Sequence, residues 1–94
     1  MYGIIIEVRV EPYREEELRK MPENMIVPRA RTHQGIAAGY WLRSLDGDVL
    51  RAVQLYDTKT NAQETADQIR SEGPPSGAPV SLVSVNTYEV IAQV

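Results

Sequence analysis

Apolar and polar residues alternate with period two over Tyr2–Val10. The even positions are Tyr2, Ile4, Ile6, Val8 and Val10, whereas Glu7 and Arg9 fall on odd ones. Mostly β-branched residues in that alternation predict a strand with one dry face. Glu11-Pro12 ends it, and Pro12 suits the first turn of a helix, where a missing N–H costs nothing. Over residues 13–21 the apolar Tyr13, Leu18 and Met21 gather toward one side. Glu15/Arg19 and Glu16/Lys20 have the spacing of favourable i,i+4 ion pairs. Pro22 and Pro28 break this pattern, so the helix is expected to stop near Met21 and give way to an irregular or short helical stretch through Thr32.

Residues 35–43 and Val49–Tyr56 are two β-rich runs flanking Asp46-Gly47, a dipeptide typical of a tight hairpin turn. With that turn, Leu45 faces Asp48 and the register follows. Leu42 pairs with Arg51, Tyr40 with Val53 and Ala38 with Leu55, while Arg43 pairs with Leu50, Trp41 with Ala52, Gly39 with Gln54 and Ala37 with Tyr56. A second helix follows. Thr60 and Gln63 have capping-box spacing. Ala62, Ala66 and Ile69 form one apolar stripe, and Gly73 is a natural terminator before the loop Pro74-Pro75-Ser76-Gly77. The last strand is expected over residues 80–94. Its apolar positions change phase between Val85 and Tyr88, which predicts a bulge near Asn86-Thr87.

Strand, helix, strand, strand, helix, strand is the ferredoxin-like α+β order: one domain over residues 1–94, with a four-stranded antiparallel sheet and both helices on one face. The helix-covered face is expected to take the driest set: Ile4, Ile6, Val8, Tyr40, Leu42, Val53 and Leu55. The other face would then carry Ile5, Glu7, Arg9, Ala37, Gly39, Trp41, Arg43, Leu50, Ala52, Gln54 and Tyr56. Soluble monomers seldom leave so apolar a patch open to water. A second copy packed across a two-fold axis would cover it, with a ligand chamber between the sheets.

Composition narrows the function. A 94-residue chain holds one domain. With no cysteine there is no disulfide framework, thiolate nucleophile or Cys-based zinc site. A net charge of -3 offers nothing to a phosphate backbone, and without Phe the chain lacks the usual base-stacking platform, so no nucleic-acid partner is expected. The longest apolar run, Ile4-Ile5-Ile6, is far short of the roughly 20 residues that span a bilayer. Met1 leads into strand-like sequence with no basic lead. No membrane partner and a cytoplasmic location are the expectations.

The candidate chemistry is sparse. His33, the single histidine, has the ordinary pKa for a general base near neutrality, against the plain alternative of an exposed loop side chain. Glu7 could move a proton and Arg9 hold an anion, against an ordinary ion pair. Trp41 and Tyr56 suit pocket walls or interface packing, and Arg43 and Gln54 share their face. Glu15-Glu16-Glu17 point in different directions around a helix and do not converge on a metal. No metal site and no cofactor are expected.

In its layout the chain resembles the dimeric α/β-barrel superfamily, in particular the antibiotic-biosynthesis-monooxygenase-like proteins. The matching pieces are Ile4-Ile5-Ile6-Glu7-Val8-Arg9-Val10, Gly39-Tyr40-Trp41-Leu42-Arg43-Ser44, Leu55-Tyr56-Asp57-Thr58 and Tyr88-Glu89-Val90-Ile91-Ala92. That resemblance implies a homodimer enclosing a cavity, and a cofactor-independent, monooxygenase-like activity on a small aromatic or polyketide-like molecule. Haem-degrading members use an Asn on the first strand, a Trp on the third and a His on the second helix. Here the first strand has no Asn, Trp41 lies on the second strand, and His33 precedes that strand. The alternative is a non-catalytic module that binds a small ligand or only dimerises.

Overall fold

The alternating segment Tyr2–Val10 becomes β1 and lies inside the sheet, hydrogen-bonded on both sides. A computed structural model describes residues 1–12, 14–47 and 49–94, the side chains of Glu15 and Pro22 aside. After β1 come α1 (Glu15–Met21), a π-helical turn (Pro22–Ile26), α2 (Val27–Ala30), β2 (Ile36–Arg43), β3 (Val49–Tyr56), α3 (Lys59–Glu72) and β4 (Val80–Glu89). The sheet order is β2-β3-β1-β4 with every pairing antiparallel, the ferredoxin-like arrangement. The expected positions of Tyr13 beside Leu18, Asp48 opposite Leu45 and the Glu15/Arg19 pair lie outside what is described.

The proline-broken stretch follows the sequence pattern. α1 stops at Met21, and the chain runs on through the π turn to Ala30. The hairpin register also follows it: Trp41 pairs with Ala52, Tyr40 with Val53 and Arg43 with Leu50. The turn differs in detail. Gly47 N–H donates to Ser44 O at 2.9 Å, so Leu45 and Asp46 occupy the corners and Gly47 follows at φ 90. A shift between Ile36 and Ala38 brings Ile36, not Ala37, opposite Tyr56.

Three local expectations are corrected. Thr58, not Thr60, caps α3, its hydroxyl accepting from Asn61 N–H at 3.1 Å. Thr58 has extended backbone, as an N-cap needs, whereas Thr60 already lies inside the helix. The irregularity in β4 falls where Glu7 pairs with Ser84 and Val8 with Leu82, skipping Val83, rather than at Asn86-Thr87. β4 ends at Glu89, because its partner β1 begins at Tyr2 and pairs there with Glu89.

The largest correction concerns the faces. β1 presents Ile4, Ile6 and Val8 to the helices as expected. Its register with β3, however, sets Ile4 opposite Gln54, Ile6 opposite Ala52 and Val8 opposite Leu50. Directly opposed residues share a face. The helix-covered face therefore carries Trp41, Arg43, Leu50, Ala52, Gln54 and Tyr56, and Tyr40, Leu42, Val53 and Leu55 lie on the other face with Ile5, Glu7 and Arg9. Burial agrees: Tyr56 is 0% exposed and Gln54 3%, against 58% for Tyr40 and 52% for Leu42.

Two adjoining clusters form the core. Ile4, Tyr56 and Val85 pack against the α3 stripe of Ala62, Ala66 and Ile69. Leu18 and Met21 of α1 pack with Ala78 and Val80, flanked by Val8, Val10, Ile26 and Leu50.

Candidate functional site

The space under the α1–α2 stretch is a cleft of about 280 Å³. Ile6, Val8, Leu50, Ala52 and Trp41 floor it, and Leu18, Met21 and Ile26 cover it from the helical side. Two prolines within eight residues keep this segment from forming one straight helix that would press flat on the sheet. Small Ala52 leaves depth beneath, and Gly39 lets the Trp41 indole lie along its own strand.

Polar groups meet this apolar space at one end. Tyr56 OH donates to Gln54 Oε1 at 2.7 Å, and His33 Nδ1 lies 3.2 Å from the same hydroxyl. Gln54 and His33 line the cleft, and Tyr56 stands directly behind them. Burial pushes the Tyr56 phenol up to about 12, against a weaker opposing pull from the Thr65 hydroxyl, so it keeps its proton near neutrality. Burial also drives the His33 pKa below its ordinary value. The Arg29 cation adds to this, whereas Gln54 and the Glu72 carboxylate pull less strongly the other way. His33 is therefore a neutral imidazole at pH 7.

Loop geometry fixes His33. Its backbone N–H donates to Ala30 O at 3.0 Å, and its carbonyl accepts from Ile36 N–H at 3.4 Å. Gly35 carries the chain from there into β2 at φ 79, so close to the start of α3 that a Cβ would come within 2.2 Å of Asp57 Oδ1. Arg29 binds Glu72 at 2.7 Å and so ties α2 to the end of α3 beside the imidazole. Arg19, Arg29 and Arg43 give this otherwise apolar cleft a cationic border.

The seven residues singled out from the sequence thus divide. His33, Trp41, Arg43 and Gln54 line the cleft, and Tyr56 backs it. Glu7 and Arg9 do not join them: they lie across the sheet on the opposite face, where Glu7 forms a 2.7 Å ion pair with Arg51. The helical cover was missed, with Leu18, Met21, Ile26 and Arg29. Pro22 and Pro28 are its signal, because the π turn that begins at Pro22 interrupts the helix and Pro28 sits in the first turn of α2. Among the described residues, no group of three or more His, Cys, Asp or Glu side chains could hold a metal ion. No described helix is long and apolar enough to cross a membrane.

No protein-family model matches the sequence, and no curated protein matches it. Solved structures do. The heme-degrader MhuD of Mycobacterium tuberculosis, with two hemes bound in its active site, is 18% identical at a TM-score of 0.75, the match covering 100% of this chain and 99% of that one. A putative antibiotic biosynthesis monooxygenase from Deinococcus radiodurans is 12% identical at 0.68, covering 100% and 96%. A monooxygenase from Streptomyces coelicolor, in complex with nanaomycin D, is 12% identical at 0.60, covering 99% and 89%. Identities this low speak for the fold. The chain shares the ferredoxin-like fold of these solved structures.

Proposed function

We propose that this protein is a small, cofactor-independent, monooxygenase-like enzyme that holds an aromatic molecule of two or three rings in the cleft beneath α1 and α2. The observation that carries this is one apolar cleft, walled by Trp41 and ended by the hydrogen-bonded His33, Tyr56 and Gln54. Apolar walls with a few convergent polar groups are what a small-molecule site requires. In the proposed reaction a naphthol reacts with dioxygen. One oxygen atom enters the ring as a new carbonyl, the other leaves as water, and the substrate supplies both electrons and both hydrogens. The chamber expected between two sheets is replaced in this proposal by a cleft within each protomer.

The opposite sheet face supports a homodimer. Tyr40 and Leu42, both largely exposed, share it with Ile5, Val53 and Leu55, and a second copy of the same face would remove them from water.

A second reading, haem binding, is favoured by the fold likeness to MhuD and by an imidazole in the cleft. The size opposes it. A few fused rings fit within the cleft of about 280 Å³, whereas a tetrapyrrole would extend out of its open side. Dioxygen uptake with a panel of naphthols and hydroquinones tests the first reading: the wild type should consume oxygen, and Trp41→Ala should lose most of that activity. No uptake with any of them, together with a Soret shift on stoichiometric haem addition, would favour the second.

A further inference from the structure

The hydrogen bonds around Tyr56 determine more than the position of the imidazole. A neutral phenol has one proton to donate, and the 2.7 Å contact with Gln54 Oε1 uses it. With Gln54 Oε1 taking the phenol proton, the Tyr56 oxygen offers His33 Nδ1 a lone pair across their 3.2 Å contact, which favours the hydrogen on Nδ1. A neutral imidazole holds one proton on its two ring nitrogens. In that tautomer Nε2 is the acceptor nitrogen, while Gln54 also hydrogen-bonds the ring.

From this arrangement we infer that His33 Nε2 is the specificity-determining acceptor of the cleft: bound by Tyr56 and Gln54 into the Nδ1–H tautomer, it selects aromatic ligands bearing a hydroxyl or N–H donor over the same ring systems without one. This rests on the cleft being the ligand site, as proposed above, and it names the feature the ligand must carry. A donor-bearing ring reaches Nε2 with a hydrogen bond. The matching methyl ether brings a lone pair against a lone pair, leaving a desolvated acceptor unpaired. The charged groups facing the imidazole are Arg29 and Glu72, bound to each other, and Tyr56 is the titratable neighbour behind it. Protonation of His33 would turn Nε2 into a donor and reverse the preference.

The single histidine makes the test unambiguous, since one imidazole contributes all the ring-nitrogen signals. In ¹⁵N-labelled protein at pH 7.5, long-range ¹H–¹⁵N correlation should show a protonated Nδ1 and a bare Nε2. Tyr56→Phe should move the ring toward the opposite tautomer. Calorimetric titration with 1-naphthol and 1-methoxynaphthalene should favour the naphthol by about tenfold in the wild type, and by little in His33→Ala. A wild-type Nε2–H tautomer, or equal affinity for both probes, would overturn the inference while leaving the ligand site standing. Binding of neither probe would remove the ligand site and the inference with it.

Discussion

The indole of Trp41 lies over Gly39, two residues back on the same face of β2. A Cβ added to Gly39 would come within 2.9 Å of Trp41 Cη2 and 3.1 Å of Cζ3. The glycine is therefore what allows the largest side chain of the cleft to lie flat along the sheet. In Gly39→Ala the ring must swing outward, while the strand keeps its register and gains a residue less costly to order. The expected result is a folded protein with a Tm within a few degrees of the wild type, a shifted Trp41 emission maximum and weakened 1-naphthol binding. Fluorescence spectra and calorimetric titration of the purified variant check this.

Lowering the pH should destabilise the fold through His33. Its pKa in the folded state is below the ordinary 6.5, chiefly through burial. Above pH 6.5 the imidazole is neutral whether the chain is folded or not, and no penalty applies. As the pH falls from 6.5 through the folded-state value, the unfolded chain binds the proton first, and stability drops. Urea midpoints across this range should decline in the wild type and decline less in His33→Gln. An imidazole proton NMR titration with a midpoint at or above 6.5 would contradict the account.

Tyr56→Phe isolates the buried hydroxyl. The phenol is fully buried, and its loss leaves the Gln54 carbonyl without that donor and His33 without its acceptor. The expected cost is about 1–3 kcal/mol in urea denaturation. Tyr40→Phe, at a side chain 58% exposed, should change stability by less than about 0.5 kcal/mol.

The open sheet face should govern self-association without touching the cleft. Leu42→Lys, or Tyr40→Glu, places charge in the middle of the proposed interface. Sedimentation equilibrium should then show a monomer where the wild type is a dimer, with 1-naphthol affinity unchanged in magnitude. A wild type that is monomeric at high concentration would remove the homodimer from the proposal.

Much of the fold can be read from the chain, because local rules dictate it. Pro22 marks where the first helix gives way to a π turn, the two β-rich runs around a turn at Leu45-Asp46-Gly47 give the hairpin register, and the Ala62, Ala66, Ile69 stripe orients α3. The phase between the hairpin and β1 is not local. In β3 the odd positions include Val53 and Leu55, and the even ones Gln54 and Tyr56, so hydrophobicity favours burying the odd set. The register instead opposes Ile4 to Gln54. The core accepts that glutamine because Tyr56 satisfies its carbonyl, a match visible only once the two side chains sit together. The same inversion carried Trp41, Arg43, Gln54 and Tyr56 together from one side of the sheet to the other. The group is thus legible as a set, whereas Glu7 and Arg9 lie on the opposite face and do not belong to it.

Ligand binding on the helix-covered face is tested most directly by a chemical-shift map. Titrating ¹⁵N-labelled protein with 1-naphthol should move the Trp41 indole N–H, the Gln54 side-chain amide and the His33 ring signals, and leave the backbone amides of Glu7, Arg9, Tyr40 and Leu42 nearly still. Shifts concentrated at Glu7, Arg9, Tyr40 and Leu42, with Trp41 and His33 unmoved, would contradict it.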